Sequence, residues 1–169
     1  MVDIIKEQVW LSLGGNIGDK KAFLTFAVSE LAKNPQVEIG CKSSIYLTSA
    51  WGREDQDDFY NAVVEVFTTL SPWEFLTFCQ DIEKAAGRKR IVHWGPRELD
   101  IDILLFGGHK METGDLRIPH PYIGERAFVL VPLLEIDPEM ELANLGKLKL
   151  IASGCDKSGV KKLYGPEEW

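Results

Sequence analysis

The segment from Trp94 to Phe106 (WGPRELDIDILLF) constrains this chain more than any other. From Leu99 onward, apolar residues alternate with Asp100 and Asp102, and a period of two is typical of a β-strand with one buried face. The two carboxylates then share the opposite face, about 7 Å apart, which is twice the rise per strand residue. Two like charges do not stabilise a strand, whereas oxygen ligands at this spacing suit a hard cation such as Mg²⁺.

The residues just before this strand suit a phosphate. Gly95-Pro96-Arg97 predicts a rigid turn that presents a guanidinium group, which can bind phosphate oxygens through parallel hydrogen bonds. An Asp-x-Asp pair alone is more often a polar strand face, and a run of charges is often only solvated surface. The combination of a cation site and a phosphate-binding group indicates nucleotide chemistry. More basic side chains are concentrated just upstream, namely Lys84, Arg88, Lys89, Arg90 and His93.

Composition limits the class of protein. With 169 residues, 45% of them hydrophobic, the chain suits one domain spanning residues 1–169. A net charge of −7 argues against a nucleic-acid partner, which requires a basic surface. No apolar run is long enough to span a bilayer, and the charged N-terminus does not resemble a signal peptide, so no membrane partner is expected. Cys41, Cys79 and Cys155 are widely spaced and odd in number, which predicts free thiols and a cytoplasmic location.

The order of elements predicts the fold class. Alternation predicts strands over 8–13, 37–46, 59–69 and 99–106, and capping signals at Asp19 and Ser71 predict helices ending near Lys33 and Ala86. A third helix is expected around 125–134. The order βαββαβ is typical of an α+β, ferredoxin-like fold, an antiparallel sheet with helices on one face. Residues 142–169 are rich in Gly, Lys and Ser, and we expect them to form a peripheral tail.

The run W-G-P-R-x-L-D-[ILV]-D resembles the signature of the 6-hydroxymethyl-7,8-dihydropterin pyrophosphokinases. The glycine cluster at 14–19 (GGNIGD) is similar to the L-G-[SG]-N-x-G of that family, although on its own it predicts only a tight turn. The resemblance covers roughly residues 8–138. It implies transfer of pyrophosphate from ATP to the hydroxymethyl group of 6-hydroxymethyl-7,8-dihydropterin, which gives the pterin diphosphate and AMP in folate biosynthesis.

The resemblance also implies a pterin site. The amide of Asn61 can match the donors and acceptors of the pterin edge, and Phe59, two residues away on the same strand face, can stack on the ring. Phe128 corresponds to the second aromatic residue of the family, which stacks from the other side. Thr48 and Trp51 belong to the loop that contacts the pterin. An Asn at a strand start is also common for purely structural reasons.

The ATP site is implied in the same way. Asp100 and Asp102 correspond to the ligands of two Mg²⁺ ions, and Arg88 and Arg97 to the groups that stabilise charge on the transferred phosphates. The basic segment 87–94 is expected to be a lid that orders over both substrates, although it is one residue shorter than usual and carries His93 in place of a basic residue. The remaining residues implied to contact ATP are Gln80, Glu83, Arg90, Trp94, Ile103, His120 and Arg126.

Two other functions remain open at this point. The Asp-x-Asp pair would also suit another Mg-dependent nucleotide transferase, from which release of AMP that depends on a pterin would distinguish this chain. A non-catalytic, ferredoxin-like binding module is disfavoured by the acidic charge and by the absence of the aromatic strand motif of RNA-binding domains. The enzyme is expected to act as a monomer.

Overall fold

The computed structural model describes residues 5–49, 58–87 and 98–169. Four helices lie in these ranges: α1 (Lys20–Lys33), α2 (Pro72–Ala85), α3 (Ala127–Ile136) and α4 (Leu148–Ser153). The six strands of the main sheet are β1 (Glu7–Gly15), β2 (Val37–Lys42), β3 (Ile45–Thr48), β4 (Phe59–Thr68), β5 (Asp100–Phe106) and β10 (Val160–Tyr164). Two short hairpins complete the strands: β6 (Met111–Glu112) with β7 (Arg117–Ile118), and β8 (Glu141–Leu142) with β9 (Gly146–Lys147).

The main sheet is antiparallel, with β4 at its centre and β1 between β4 and β5. Its order is β10-β3-β4-β1-β5, and β2 pairs with the same edge of β4 as β3 does, further along that strand. A mixed helix and antiparallel-sheet fold is therefore confirmed. Strand β5, which carries the two aspartates, lies at one edge of the sheet.

The helix starts follow the local sequence. The carboxylate of Asp19 accepts a hydrogen bond from the Ala22 N–H (3.1 Å), as expected of an N-cap. Ser71 and Glu74 form a reciprocal capping box around Pro72, with distances of 3.2 and 3.0 Å. Both predicted helix starts are confirmed because the signals lie within one turn of the chain.

The single strand predicted over 37–46 is wrong, because the structure divides it into β2 and β3 at two buried serines. The Oγ of Ser43 accepts from the Val63 N–H (2.9 Å) and donates to the Ser44 carbonyl (2.7 Å). The N–H and O–H of Ser44 both donate to Glu135, on a helix far along the chain. Side-chain hydrogen bonds replace the regular ladder here, and nothing in the local alternation indicates this.

Helices cover both faces of the sheet. One core contains Val9, Leu11 and Leu13 of β1, packed against α1 and α2. A second core contains Trp10 of β1, which points to the opposite face and packs with residues of α3 and α4. The expectation of helices on one face is corrected, since it was based on the order of the first two helices alone.

The interpretation of residues 142–169 as a peripheral tail is also corrected. Leu148 of α4 is fully buried in the second core, and β10 extends the sheet by pairing with β3. The indole N–H of Trp169 donates to the carbonyl of Ser43 (3.0 Å). These elements are too short to show a clear period, because each contributes only one or two side chains to a core formed by the rest of the chain. In the described ranges, no helix has the length and apolar character needed to cross a membrane.

The position of α4 predicts a difference between two leucines of the same helix. Leu148 is 0% exposed and Leu150 is 66% exposed. We expect Leu148→Ala to lower the free energy of unfolding by about 2–5 kcal/mol, because it leaves a cavity in the second core. The matched control, Leu150→Ala, should change it by no more than about 0.5 kcal/mol. Urea unfolding measures both values, and equal losses would show that α4 is not docked as described.

Candidate active site

Three strands bring the two predicted halves of the site into one row. Asn61 on β4 lies opposite Gly14 on β1, and Gly14 lies opposite Asp100 on β5. Residues paired in this way project from the same face of a sheet. With neighbouring strands about 4.8 Å apart, the backbones of Asn61 and Asp100 are about 10 Å apart. The amide predicted for the pterin and a carboxylate predicted for Mg²⁺ are thus separated by one glycine.

Gly14 is required by this row. A Cβ atom at position 14 would lie 2.7 Å from the Oδ1 atom of Asn61, which is closer than non-bonded atoms approach. Sequence reasoning assigned the glycine cluster only a turn. The structure adds that Gly14 forms the floor between the amide and the carboxylate, where any side chain would displace Asn61.

The orientation of Asn61 is set by Thr48. Asn61 Nδ2 donates to Thr48 Oγ1 over 2.6 Å, and both residues are buried, with exposures of 5% and 6%. Phe59 lies opposite Thr48 in the pairing of β3 with β4, two residues from Asn61 and on the same face. Three of the residues predicted to bind pterin are therefore adjacent in the structure.

The first residues of α3 cover the same face of the sheet. Phe128 is half-buried against the second core, which contains Trp10 and Val63 of the underlying strands. The Arg126 guanidinium, just before it, lies 5.6 Å from the centre of the Phe128 ring. The predicted second aromatic residue and the predicted phosphate-binding arginine therefore lie together.

Glu83 braces the strand of the two aspartates. It is 5% exposed on α2, and its Oε2 atom accepts a hydrogen bond from the N–H of Ile101 (2.9 Å), the residue between Asp100 and Asp102. This bond holds the sheet edge against α2. The structure thus gives Glu83 a backbone partner, while its predicted contact with ATP remains a prediction.

The donor chemistry of Asp100 and Asp102 fits Mg²⁺. Asp100 is half-buried and Asp102 is exposed, and both are hard oxygen ligands on one strand face. In the described ranges, these two aspartates included, no group of three or more His, Cys, Asp or Glu residues is placed to hold a metal by itself. Mg²⁺ commonly binds through one or two carboxylates and completes its coordination with substrate phosphates and water, so two aspartates suffice.

Ile103 and Gln80 differ in accessibility. The side chain of Ile103 is 5% exposed in the first core and points away from the aspartates. If Ile103 contacts ATP, it must therefore do so through its backbone, which lies on the edge strand β5. Gln80 is half-buried on α2, one turn before Glu83.

His120 is held in one tautomer. The N–H of Tyr122 donates to His120 Nδ1 (3.2 Å), so the proton of the neutral ring lies on Nε2. Burial, together with the nearby charge of Arg126, lowers the pKa of His120 to about 4. The side chain is thus a neutral N–H donor near pH 7, which suits a phosphate oxygen.

Several predicted residues lie outside the described ranges. They are Trp51, Arg88, Arg90, Trp94 and Arg97, together with nearly all of the predicted lid, and their roles stay predictions. One carboxylate that sequence reasoning did not single out lies near the site, at Glu135 of α3. Its partners on β3 are 91 and 89 residues away in the chain, so no local pattern could have identified it.

Comparison with known proteins agrees with this geometry. The family model for 7,8-dihydro-6-hydroxymethylpterin-pyrophosphokinase (HPPK) matches residues 10–138. A 2-amino-4-hydroxy-6-hydroxymethyldihydropteridine pyrophosphokinase of Methylorubrum extorquens is 42% identical over 156 residues, which are 92% of this chain and 98% of that protein. The protein of the same name from Bacillus subtilis is 47% identical over 132 residues, 78% of this chain and 79% of the other.

Solved structures show the same fold. A crystal structure of an HPPK-DHPS in complex with substrates superposes with a TM-score of 0.73 at 15% identity, covering 95% of this chain and 47% of the other. A Plasmodium falciparum HPPK-DHPS triple mutant with pteroate gives a TM-score of 0.71 at 16% identity, covering 94% and 47%. This chain spans about half the length of those proteins.

The environment of His120 predicts its titration. In the free protein, we expect NMR of the imidazole nitrogens to show the neutral Nε2–H form at pH 7 and a pKa of about 4. Because an unfolded histidine has a pKa of about 6.5, the contribution of this neutral ring to stability should be lost as the pH falls from about 6.5 towards about 4. A spectrum of His120→Gln assigns the signals. A midpoint near the ordinary value would show that the ring is not buried as described.

Proposed function

We infer the roles of individual residues from the family of this chain. The chain belongs to the 7,8-dihydro-6-hydroxymethylpterin-pyrophosphokinase (HPPK) family. It transfers pyrophosphate from ATP to 6-hydroxymethyl-7,8-dihydropterin, a step of folate biosynthesis. Membership in this family decides in favour of an ATP-dependent enzyme over a binding module. The single observation that carries the assignment of residues is the row formed by Asn61, Gly14 and Asp100 across three strands.

The reaction needs two substrates held close together rather than a covalent intermediate. The hydroxymethyl oxygen of the pterin attacks the β-phosphorus of ATP, the bond to the α-phosphate breaks, and AMP leaves. Such transfers depend mainly on positioning and on neutralising charge. A separation of about 10 Å between the backbones of Asn61 and Asp100 suits a flat ring on one side of Gly14 and a triphosphate on the other.

Asp100 and Asp102 hold the metal in this proposal. Two carboxylates beside a triphosphate suit two Mg²⁺ ions, which when bound neutralise the charge of the phosphate oxygens. Glu83 keeps the aspartates at their spacing through its bond to the Ile101 N–H. ATP dependence is a property of the family, and the number of ions is our proposal.

Asn61, Phe59 and Phe128 bind the pterin. The Asn61 amide reads the ring edge, and Thr48 holds it in orientation through the 2.6 Å hydrogen bond. Phe59 and Phe128 stack on the two faces of the ring. Trp51 belongs to the same site in the proposal.

Several groups around the row are proposed to hold the triphosphate. His120 donates from Nε2, and Arg126 adds a positive charge beside Phe128. The remaining proposed ATP contacts are Gln80, Glu83, Arg90, Trp94 and the backbone of Ile103. Arg88 and Arg97 stabilise charge on the transferred group.

Three broader properties are proposed with the activity. The core has a ferredoxin-like arrangement, supported by the antiparallel order β5-β1-β4-β2 with α1 and α2 on one face. The enzyme acts as a monomer, supported by the fact that the pterin-binding and metal-binding residues of the row belong to one chain. A cytoplasmic location is supported by its three free cysteines.

An AMP-release assay tests the function and the aspartates together. With ATP, Mg²⁺ and 6-hydroxymethyl-7,8-dihydropterin, we expect AMP to form only when the pterin is present. Asp100→Asn and Asp102→Asn should each lower kcat by at least about 100-fold, since each removes a charged ligand from the metal site. Glu38→Gln, at an exposed ion pair with Lys6, is the matched control. No AMP from folded wild-type protein would refute the function, and near-normal rates in either variant would exclude that aspartate as a ligand.

Binding of the pterin and binding of ATP should respond differently to substitutions on β4. We expect Asn61→Ala to weaken binding of the pterin by about 1–3 kcal/mol, because the ring edge loses its partner. Phe59→Ala should cost about 0.5–1.5 kcal/mol in stacking beyond the loss of buried area. Calorimetry with each ligand checks both values, and binding of ATP should change little. Equal losses for the two ligands would indicate a distorted strand instead.

A further inference from the structure

The geometry points to Glu135 as a positioning residue for the pterin site, because it ties helix α3, which carries Phe128, to strand β3, which carries Thr48. This inference rests on the proposed function, since it concerns how the two walls of that site are held relative to each other. Glu135 itself does not need to touch either substrate.

The carboxylate of Glu135 joins three elements of the fold. Its Oε1 atom accepts from the N–H of Ser44 (2.7 Å) and from the O–H of Tyr46 (3.1 Å), both on or beside β3. Its Oε2 atom accepts from the O–H of Ser44 (2.6 Å) and lies 3.3 Å from Nζ of Lys162 on β10. One side chain of α3 is therefore held by four donor groups of the sheet.

These contacts keep the carboxylate charged although it is mostly enclosed. The Glu135 side chain is 22% exposed. Burial alone would raise its pKa, but the hydrogen bonds from Ser44, Tyr46 and Lys162 outweigh it, so the pKa is lowered. Burial, and then the charge of Glu135, raises the pKa of the Tyr46 phenol, which stays protonated and continues to donate. Hydrogen bonds to a charged acceptor are stronger and more directional than neutral ones.

The partners of Glu135 lead directly to Asn61. Ser44, Tyr46 and Thr48 follow one another at the period of two and therefore share one face of the sheet. Tyr46 lies opposite Asn61 in the pairing of β3 with β4, in the same row as Gly14 and Asp100. Thr48 holds the Asn61 amide through its own hydrogen bond. A shift of β3 would thus be passed to Asn61 through both contacts.

The position of Phe128 depends on how α3 is held against the sheet. Phe128 precedes Glu135 by seven residues, almost two full turns, so both side chains lie on one face of α3 about 10.5 Å apart along its axis. Pro132 lies between them and has no N–H to bond the Phe128 carbonyl, so the helix has one hydrogen bond fewer there. The contacts of α3 with the sheet, rather than the helix backbone alone, then set the position of Phe128.

A purely structural role for Glu135 makes a different prediction. If Glu135 only stabilised the fold, its loss would weaken the binding of both substrates alike. The resulting change in binding free energy would then add to that of any other substitution. A positioning role affects the pterin alone, and it does so through Phe128 and Asn61. A double-mutant cycle separates the two, because residues that act through each other give non-additive effects.

The experiment measures pterin binding with the nucleotide site filled. The full chain is saturated with Mg²⁺ and α,β-methylene-ATP, in which the bond that would break is replaced, and 6-hydroxymethyl-7,8-dihydropterin is titrated by calorimetry. A separate titration of the nucleotide with Mg²⁺ into each protein gives the Kd of the nucleotide. Four proteins are compared with wild type: Glu135→Gln, Phe128→Ala, the double variant, and Glu139→Gln. Glu139 is the control, an exposed glutamate just beyond α3 that forms an ion pair with Lys149. Tyr46→Phe, which removes one donor and keeps the carboxylate, replaces Glu135→Gln if that variant does not fold.

We expect Glu135→Gln to raise the Kd of the pterin about tenfold and to leave the Kd of the nucleotide within about twofold. In the Phe128→Ala background, Glu135→Gln should change the logarithm of the pterin Kd by less than half as much as it does in the wild-type background. Equal weakening of both ligands, full additivity with Phe128→Ala, or an unchanged pterin Kd would overturn the inference. A wild-type protein that binds no pterin would instead refute the proposed function and this inference with it.

Discussion

Strand β1 has neighbours on both sides and helices on both faces, and the site depends on this arrangement. Its odd-numbered residues from Val9 to Leu13 fill one core, while Trp10 fills the other. A shift of one residue would exchange these two sets, so burial on both faces specifies the register strongly. The same register brings Asn61 and Asp100 to either side of Gly14. Hydrophobic packing therefore determines the distance between the Asn61 amide, proposed to bind the pterin, and the Asp100 carboxylate, proposed to bind the metal.

Buried polar side chains then hold the backbone around that row. Glu83 accepts from the Ile101 N–H, Glu135 accepts from Ser44, and Thr48 accepts from the Asn61 amide. Each such group would be costly to bury without a partner, so each position is strongly constrained by its contact. The three contacts lie at strand β5 with its two aspartates, at the joint between β3 and α3, and at the Asn61 amide. Of the three accepting side chains, only Glu135 supports the site without being proposed to touch a substrate.

The two faces of the sheet differ in the side chains that they carry. The face covered by α1 and α2 is packed mainly with apolar side chains. The face covered by α3 and α4 contains apolar residues near the middle of the strands and the polar row towards one end. Phe128 and Arg126 lie where α3 begins, so the same helix closes the second core and borders the site.

The sequence by itself determined the strand of the two aspartates, both helix caps, and, through a resemblance, the family and most of the proposed site residues. These follow from signals that act within a few residues: alternation along Leu99 to Ile103, the Ser71 capping box, and a signature of consecutive positions. The break at Ser43 and Ser44, the second helical layer, the place of Leu148 in a core and the contacts of Glu135 were decided only by the tertiary structure. Each of these depends on groups tens of residues apart, so no local period can indicate them. The role of Gly14 needed both the sequence and the tertiary structure. The glycine can be read from the sequence, but the Asn61 side chain that excludes a Cβ atom there is brought beside it only by the pairing of β4 with β1.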